Sequence, residues 1–226
     1  MLASMYNNRK ESHQIGYEYI GEQGDFYLEN PEMTSSLYFP LANEAGIMGC
    51  VTPDLGGDSK IGQNAFLLPP QSSWDLHNDK SSRNFWCVGA EDGPQSLTGR
   101  SGRQQSVLFS GEKEPTYLEA GFMWYKIGRK LHGLDTEIIN FSPSHGGRVE
   151  LIKVSMRNTG KNEKRLRLIS AIPFYGRSAD NIRDHRHVTK LLHRIETVEY
   201  GVVVNPTMTF DERGHQKNSL VYGVFA

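Results

Sequence analysis

Four arginines, one lysine and three histidines fall within the nineteen residues RSADNIRDHRHVTKLLHRI (177–195), in a chain whose 25 basic and 26 acidic residues leave a net charge of −1. Such a stretch could bind a metal, a polyanion or a sugar. His185 and His187 form an H-x-H pair that would project from one side of a strand, with Asp184 and His193 nearby. Spacing places no third ligand, and Arg183, Arg186, Lys190 and Arg194 would repel a cation, so the pair alone does not specify a metal site. For single-stranded nucleic acid the stretch lacks any Phe, Tyr or Trp on which bases could stack, and the near-neutral chain gives no long-range attraction to a polyanion. Sugars suit the composition better. Planar Arg forks, amides and carboxylates hold hydroxyls, and aromatic rings cover the apolar C–H face. Two segments have that mix. SSWDLHNDKSSRNFW (72–86) offers Trp74, Arg83, Asn84, Phe85 and Trp86; YGRSADNIRDHRHV (175–188) offers Tyr175, Arg177, Asp180, Asn181 and Arg186.

Other chemistry finds less to work with. Paired carboxylates could serve glycoside hydrolysis, but 26 acidic residues make chance pairs common, and Glu44, Asp58 and Asp75 sit in turn-like settings. No G-x-S-x-G nucleophile elbow and no phosphate-cradling G-x-x-x-x-G-K-[ST] occurs.

The elements that must position these residues read as strands. Ile152, Val154 and Met156 alternate with Lys153, Ser155 and Arg157, and in RLRLISAI (165–172) Leu166, Leu168 and Ile172 share one face. The polar NTGKNEK between them predicts a hairpin. YLEAGFMWYKI, GRKLHG and LDTEIINFSP repeat the strand–turn–strand pattern. Turn signals recur at DLGGD (54–58), EDGP, GEKEP, PSHGG and DERGHQKN; short helical turns fit near 72–80 and 177–184. Strands joined by polar turns, without intervening helices, predict an all-β chain of antiparallel sheets packed as a sandwich. We expect a flexible segment at 1–19 and one sandwich domain over 20–226. The terminal NSLVYGVFA reads as a strand that would leave a sticky edge, as in a domain cut from something longer. No apolar run reaches the ~20 residues of a spanning helix, and MLASMYNNRKESHQ lacks a signal core, so a cytoplasmic protein with no membrane partner is expected. Cys50 and Cys87 are then expected as free thiols.

Longer blocks carry a resemblance. YFPLANEAGIMGCVTPDLGGD (38–58), QNAFLLPP (63–70), DLHNDKSSRNFW (75–86), YLEAGFMWYKIGR (117–129), AIPFYGRSADNIRDHRHV (171–188) and VVVNPTMTFDERGHQKN (202–218) resemble the N-terminal domain of the cellobiose and cellodextrin phosphorylases, glycoside hydrolase family 94 (formerly glycosyltransferase family 36). The resemblance implies a galactose-mutarotase-like supersandwich, followed in the family by a helical linker and an (α/α)6 barrel. It implies inverting phosphorolysis of a β-linked gluco-oligosaccharide to an α-sugar 1-phosphate, with inorganic phosphate as co-substrate and no other cofactor. The general acid and main phosphate contacts belong to the barrel, so no catalytic residue is expected in this chain, and the isolated chain is expected to be inactive. What the sandwich contributes, by the same resemblance, is an acceptor-side arginine matching Arg186, in register with His187 to within one residue. Arg177, Asp180, Arg83 and Trp86 are the accompanying sugar-contact candidates. The implied partners are the barrel and a second copy in a homodimer. The rival expectations are a stand-alone carbohydrate-binding module and a mutarotase-like enzyme. The latter would draw on His145, His185 or His187, with no Glu partner evident from spacing.

Overall fold

The structure is a computed structural model that describes residues 16–34, 37–71, 83–89, 93–179, 193–206 and 219–226. Asp180, Arg186 and His187, and the turns expected at 72–80, lie outside the described residues. In chain order the described strands are β1 (Tyr17–Ile20), β2 (Asp25–Glu29), β3 (Phe39–Ala42), β4 (Met48–Val51), β5 (Ser59–Lys60), β6 (Asn84–Gly89), β7 (Gly93–Ser96), β8 (Thr116–Gly121), β9 (Trp124–Leu131), β10 (Leu134–Phe141), β11 (Leu151–Asn158), β12 (Arg167–Ala171), β13 (Arg194–Val198), β14 (Gly201–Asn205) and β15 (Tyr222–Phe225). One short helix, α1 (Gly102–Ser106), follows β7. The protein is an all-β sandwich whose sheets are antiparallel: β1-β2-β8-β9-β10-β11, β3-β4-β5, β12-β6-β7 and β13-β14-β15.

Period-two patterning builds the large sheet. In β8 and β10 every second residue is buried, from Thr116 through Ala120 and from Leu134 through Asn140. Register aligns these positions into rows. Leu28, Leu118, Ile127, Ile138 and Val154 lie side by side across five strands. Phe26, Ala120, Tyr125, Asn140 and Ile152 form the next row. Opposite them Leu41, Val51, Leu55, Cys87 and Leu97 complete the core, with Phe39 and Phe85 against its edge. Each fully buried Leu or Ile contributes about 1.5–3 kcal/mol through removal from water. Tyr125 ties the two layers together, its buried hydroxyl donating to the Pro53 carbonyl at 2.7 Å.

The outer face of the same sheet is held by cross-strand pairs. The Tyr117 ring lies over Gly128, where a side chain would overlap it, and stacks on Tyr27 at 5.7 Å. Its hydroxyl donates to Glu137 at 2.6 Å. Burial, then that bond and the Glu137 charge, push the Tyr117 phenol far above its ordinary value, so it stays a donor.

Two expectations are corrected here. NTGKNEK does not close a hairpin: β11 pairs with β10, whereas β12 crosses to the other layer and pairs with β6. Lys164 secures that corner by donating to the His132 carbonyl at 2.6 Å. YLEAGFMWYKI is two strands, β8 and β9, joined at Phe122–Met123 with Met123 at φ 61°. No glycine or asparagine occupies that left-handed position, so the turn carried no composition signal. The first described strand, β1, starts at Tyr17. Cys50 and Cys87 are thiols not joined in a disulfide, as expected.

Ile138, 1% exposed, sits within the first row between Ile127 and Val154. Ile138→Ala should lower the unfolding free energy by about 2–5 kcal/mol in urea titration at unchanged fold. A loss below about 1 kcal/mol would mean that this row is not the packed centre of the core.

Candidate functional site

The two segments with a sugar-binding composition meet in the fold. β6, which begins one residue after Arg83, pairs with β12. From β12 the chain runs directly into 175–179, which docks along 63–67. Tyr175 N donates to Leu67 O, Gly176 N to Phe66 O, Phe66 N to Arg177 O and Ala179 N to Gln63 O, each at 2.9 Å. Gly176 makes the close approach possible. Its φ is 67°, and a side chain there would press on Pro206 and on the His193 ring. His193 Nε2 donates to Tyr175 O at 2.8 Å, which requires the proton on Nε2 because a carbonyl only accepts. Ala179 and His193 flank the segment carrying Asp180, Arg186 and His187. Ala179 and His193 are thus both hydrogen-bonded to one patch.

Arg83 governs the ground beneath. Its side chain is 1% exposed and Glu150's is 9% exposed. Arg83 grips Glu150 with two parallel bonds, Nε to Oε1 and Nη2 to Oε2, the latter at 2.8 Å. Its other hydrogens reach Asp58 O at 3.1 Å and Gly56 O at 3.4 Å, and Asn140 Nδ2 donates to Glu150 Oε1 at 3.0 Å. Burial alone would raise the Glu150 carboxyl. The Arg83 charge and hydrogen bonds, with smaller help from Asn140 and Ser59, outweigh it and hold the group below its ordinary value.

The carbonyls that Arg83 uses belong to the DLGGD turn. Gly57 adopts φ 107°, where a side chain would overlap the Cys50 carbonyl, so the second glycine of GGD is required sterically. Thr52 Oγ1 donates to Asp54 at 2.6 Å, and Arg100 clamps the same turn through Asp54 Oδ1 at 2.9 Å and Asp54 O at 3.1 Å. Next along the chain, Ser59 O accepts from Leu67 N at 2.8 Å, and Phe66 bridges Lys60 on one side and Arg177 on the other. Arg83, the turn, β5, the 66–67 segment and the 175–179 stem are thus successive links.

Of the residues picked from sequence, Arg83 and Arg177 are drawn together into this buried frame; Arg177 is 3% exposed. Neither presents an open guanidinium at the surface. Trp86 lies on β6 opposite in sense to the core-facing Phe85 and Cys87, beside Ile169 of β12, and so occupies the outward face. Sequence reasoning missed Glu150, Asn140 and the partners of Arg129. One signal for them was available: Arg129, Thr136 and Asn140 are polar residues at core-facing register, and such residues need buried partners. Another was Ser101-x-x-Gln104, the capping box that starts α1.

Among the described residues no three His, Cys, Asp or Glu side chains come together to hold a metal. No described helix is long and apolar enough to cross a membrane. No protein-family model matches the chain, and no curated protein matches it significantly.

Removing one member of the pair isolates a buried charge. Glu150→Gln should cost about 3–5 kcal/mol of stability. The depressed carboxyl also sets a sign with pH. Its contribution is complete above the unfolded value of 4.5 and is lost as pH falls through the lower folded value. The urea midpoint of the parent chain should fall on acidification below that point, and Glu150→Gln should remove part of the fall. A parallel acid dependence in both proteins would contradict the assignment.

Proposed function

We propose that this chain is the non-catalytic sandwich domain of an inverting β-glucoside phosphorylase, closing the acceptor side of a sugar site whose acid and phosphate contacts lie on a separate catalytic body. The observation that carries the reading is the pinned stem. Blocks that carry the sequence resemblance, 38–58, 63–70, 75–86 and 171–188, contribute described residues to one hydrogen-bonded frame, which anchors both flanks of the segment bearing Asp180, Arg186 and His187. Flanks fixed in this way lower the entropic cost of presenting a side chain to a ligand.

The chemistry divides accordingly. In inverting phosphorolysis one phosphate oxygen bonds to the anomeric carbon as the glycosidic C–O bond breaks, and the departing oxygen takes a proton from a single carboxylic acid. Phosphate is already a nucleophilic anion, so no second carboxylate is needed to activate it. This domain supplies none of those atoms. Its task is to hold the departing sugar, with Arg186 as a fork for vicinal hydroxyls and His187 and Asp180 as further sugar-contacting groups. Arg83 and Arg177, buried, position the stem and do not touch sugar. A lysine at 186 would keep the charge and lose the fork.

A second feature supports a domain that packs on another body. All residues of β12 and β13 are exposed, among them Leu168, Ile169, Ile195 and Val198, and Phe225 of β15 is also uncovered. Exposed apolar side chains of this kind are what contact with a partner can cover.

Titration of the 226-residue chain with cello- and sophoro-oligosaccharides, followed by amide chemical shifts, tests the proposal. Weak, saturable perturbation at Tyr175–Ala179 and His193 is expected, and Arg186→Ala should weaken it by roughly tenfold, the worth of a charge-assisted hydrogen bond. Neither phosphorolysis nor accelerated glucose anomerisation should occur. Anomerisation at an enzymatic rate, or perturbation unaffected by Arg186→Ala, would overturn the proposal.

A further inference from the structure

One end of the six-stranded sheet breaks the apolar rule of its inner face. Thr116, Arg129 and Thr136 lie side by side there, all buried, and Thr136 Oγ1 donates to Arg129 O at 3.0 Å. Arg129 is only 7% exposed. Its guanidinium rests on Gly99 (φ 78°), where any side chain would overlap it, so glycine is what admits the group. Once there it is poorly satisfied. Nη1 reaches Glu114 Oε2 at a long 3.4 Å, and Nε, also buried, donates to nothing. A strong buried donor left unmet calls for an explanation by an occupant.

Arg129 lines a cavity of about 170 Å³ between this sheet end and the segment 98–114 that contains α1. The charges around it cancel. Lys113 pairs with Glu32 at 2.8 Å, Arg129 with Glu114 at 3.4 Å, and Arg100 with Asp54 at 2.9 Å. An incoming anion would meet Glu32 and Glu114; a metal cation would meet Lys113 and Arg129. A neutral molecule rich in hydroxyls can use both kinds of partner, donating to the carboxylates and accepting from guanidinium and amide N–H groups. The lining also includes the apolar Pro53, Val107 and Leu108, which suit C–H groups. A space of about 170 Å³ suits a ligand of a single small ring.

We propose that this cavity is a binding site for one small neutral polyol of monosaccharide size, held by Arg129, Glu114 and Glu32 beside Val107 and Leu108. The site is separate from the Arg83 frame, although the Pro53–Asp58 turn contributes to both, and it does not depend on the phosphorylase reading.

The test uses D-glucose and myo-inositol as neutral probes and inorganic phosphate as the anionic one, each titrated into the 226-residue chain with amide shifts and thermal unfolding as readouts. At least one polyol should give saturable shifts at Gly99, Gln105 and Val107 and raise the melting temperature, while phosphate gives neither. Val107→Phe fills the cavity and leaves the ion pairs intact; it should abolish the response with the fold retained. Arg129→Lys, if folded, should weaken binding by roughly ten- to a hundredfold. The proposal is overturned if neither polyol saturates, so that the cavity holds only water, if Val107→Phe binds as the parent does, or if phosphate binds in preference. These responses fall on 98–107, away from Tyr175–Ala179, so failure here is distinguishable from failure of the phosphorylase reading.

Discussion

A buried guanidinium–carboxylate pair sets the terms for the rest of this molecule. Taking Arg83 and Glu150 out of water carries a desolvation cost of several kcal/mol per ion, which only good geometry and complete hydrogen bonding can offset. Here both are present: two parallel bonds between the side chains, Asn140 on the carboxylate, and two backbone carbonyls on the remaining guanidinium hydrogens. The groups come from four distant places in the chain, namely the start of β6, the start of β11, β10 and the 56–58 turn. A hydrophobic replacement could fill the volume but would leave the Gly56 and Asp58 carbonyls without this partner. The pair thereby fixes where the turn sits, and the turn fixes β5 and everything hydrogen-bonded to it.

How much of this was legible in the sequence follows from how local each feature is. Alternation in LDTEIINF and LIKVSMRN gave strands and faces directly, because side-chain direction depends only on the neighbouring residues. The partner of a strand is not local. NTGKNEK is polar and turn-prone whether the next strand returns beside β11 or crosses to β6, so the expected hairpin and the observed crossover were equally compatible with it. Phe122–Met123 hid a turn for the opposite reason: its residues are apolar and the strained position is not glycine. Arg83 and Arg177 illustrate the same limit at the site. Residue type marked both as capable of binding, and only the fold reveals that their side chains are buried within the frame.

The division of labour follows from that distinction. Two buried cations in this sandwich serve as fixtures: Arg83 on Glu150 and Arg100 on Asp54. On the proposed reading, contact with the acceptor sugar falls to Asp180, Arg186 and His187, whose described flanks the frame holds, in a cleft completed by another body. Such a domain needs rigidity more than chemistry of its own, and the succession of hydrogen bonds from Arg83 to Ala179 supplies it.

That succession can be measured directly by amide hydrogen exchange in Glu150→Gln. If the Arg83–Glu150 pair holds the stem, the amides of Phe66, Gly176 and Ala179 should lose protection well before those of Ile127 and Ile138 in the six-stranded sheet. Unchanged protection at Gly176 and Ala179, or an equal loss across both regions, would contradict the account.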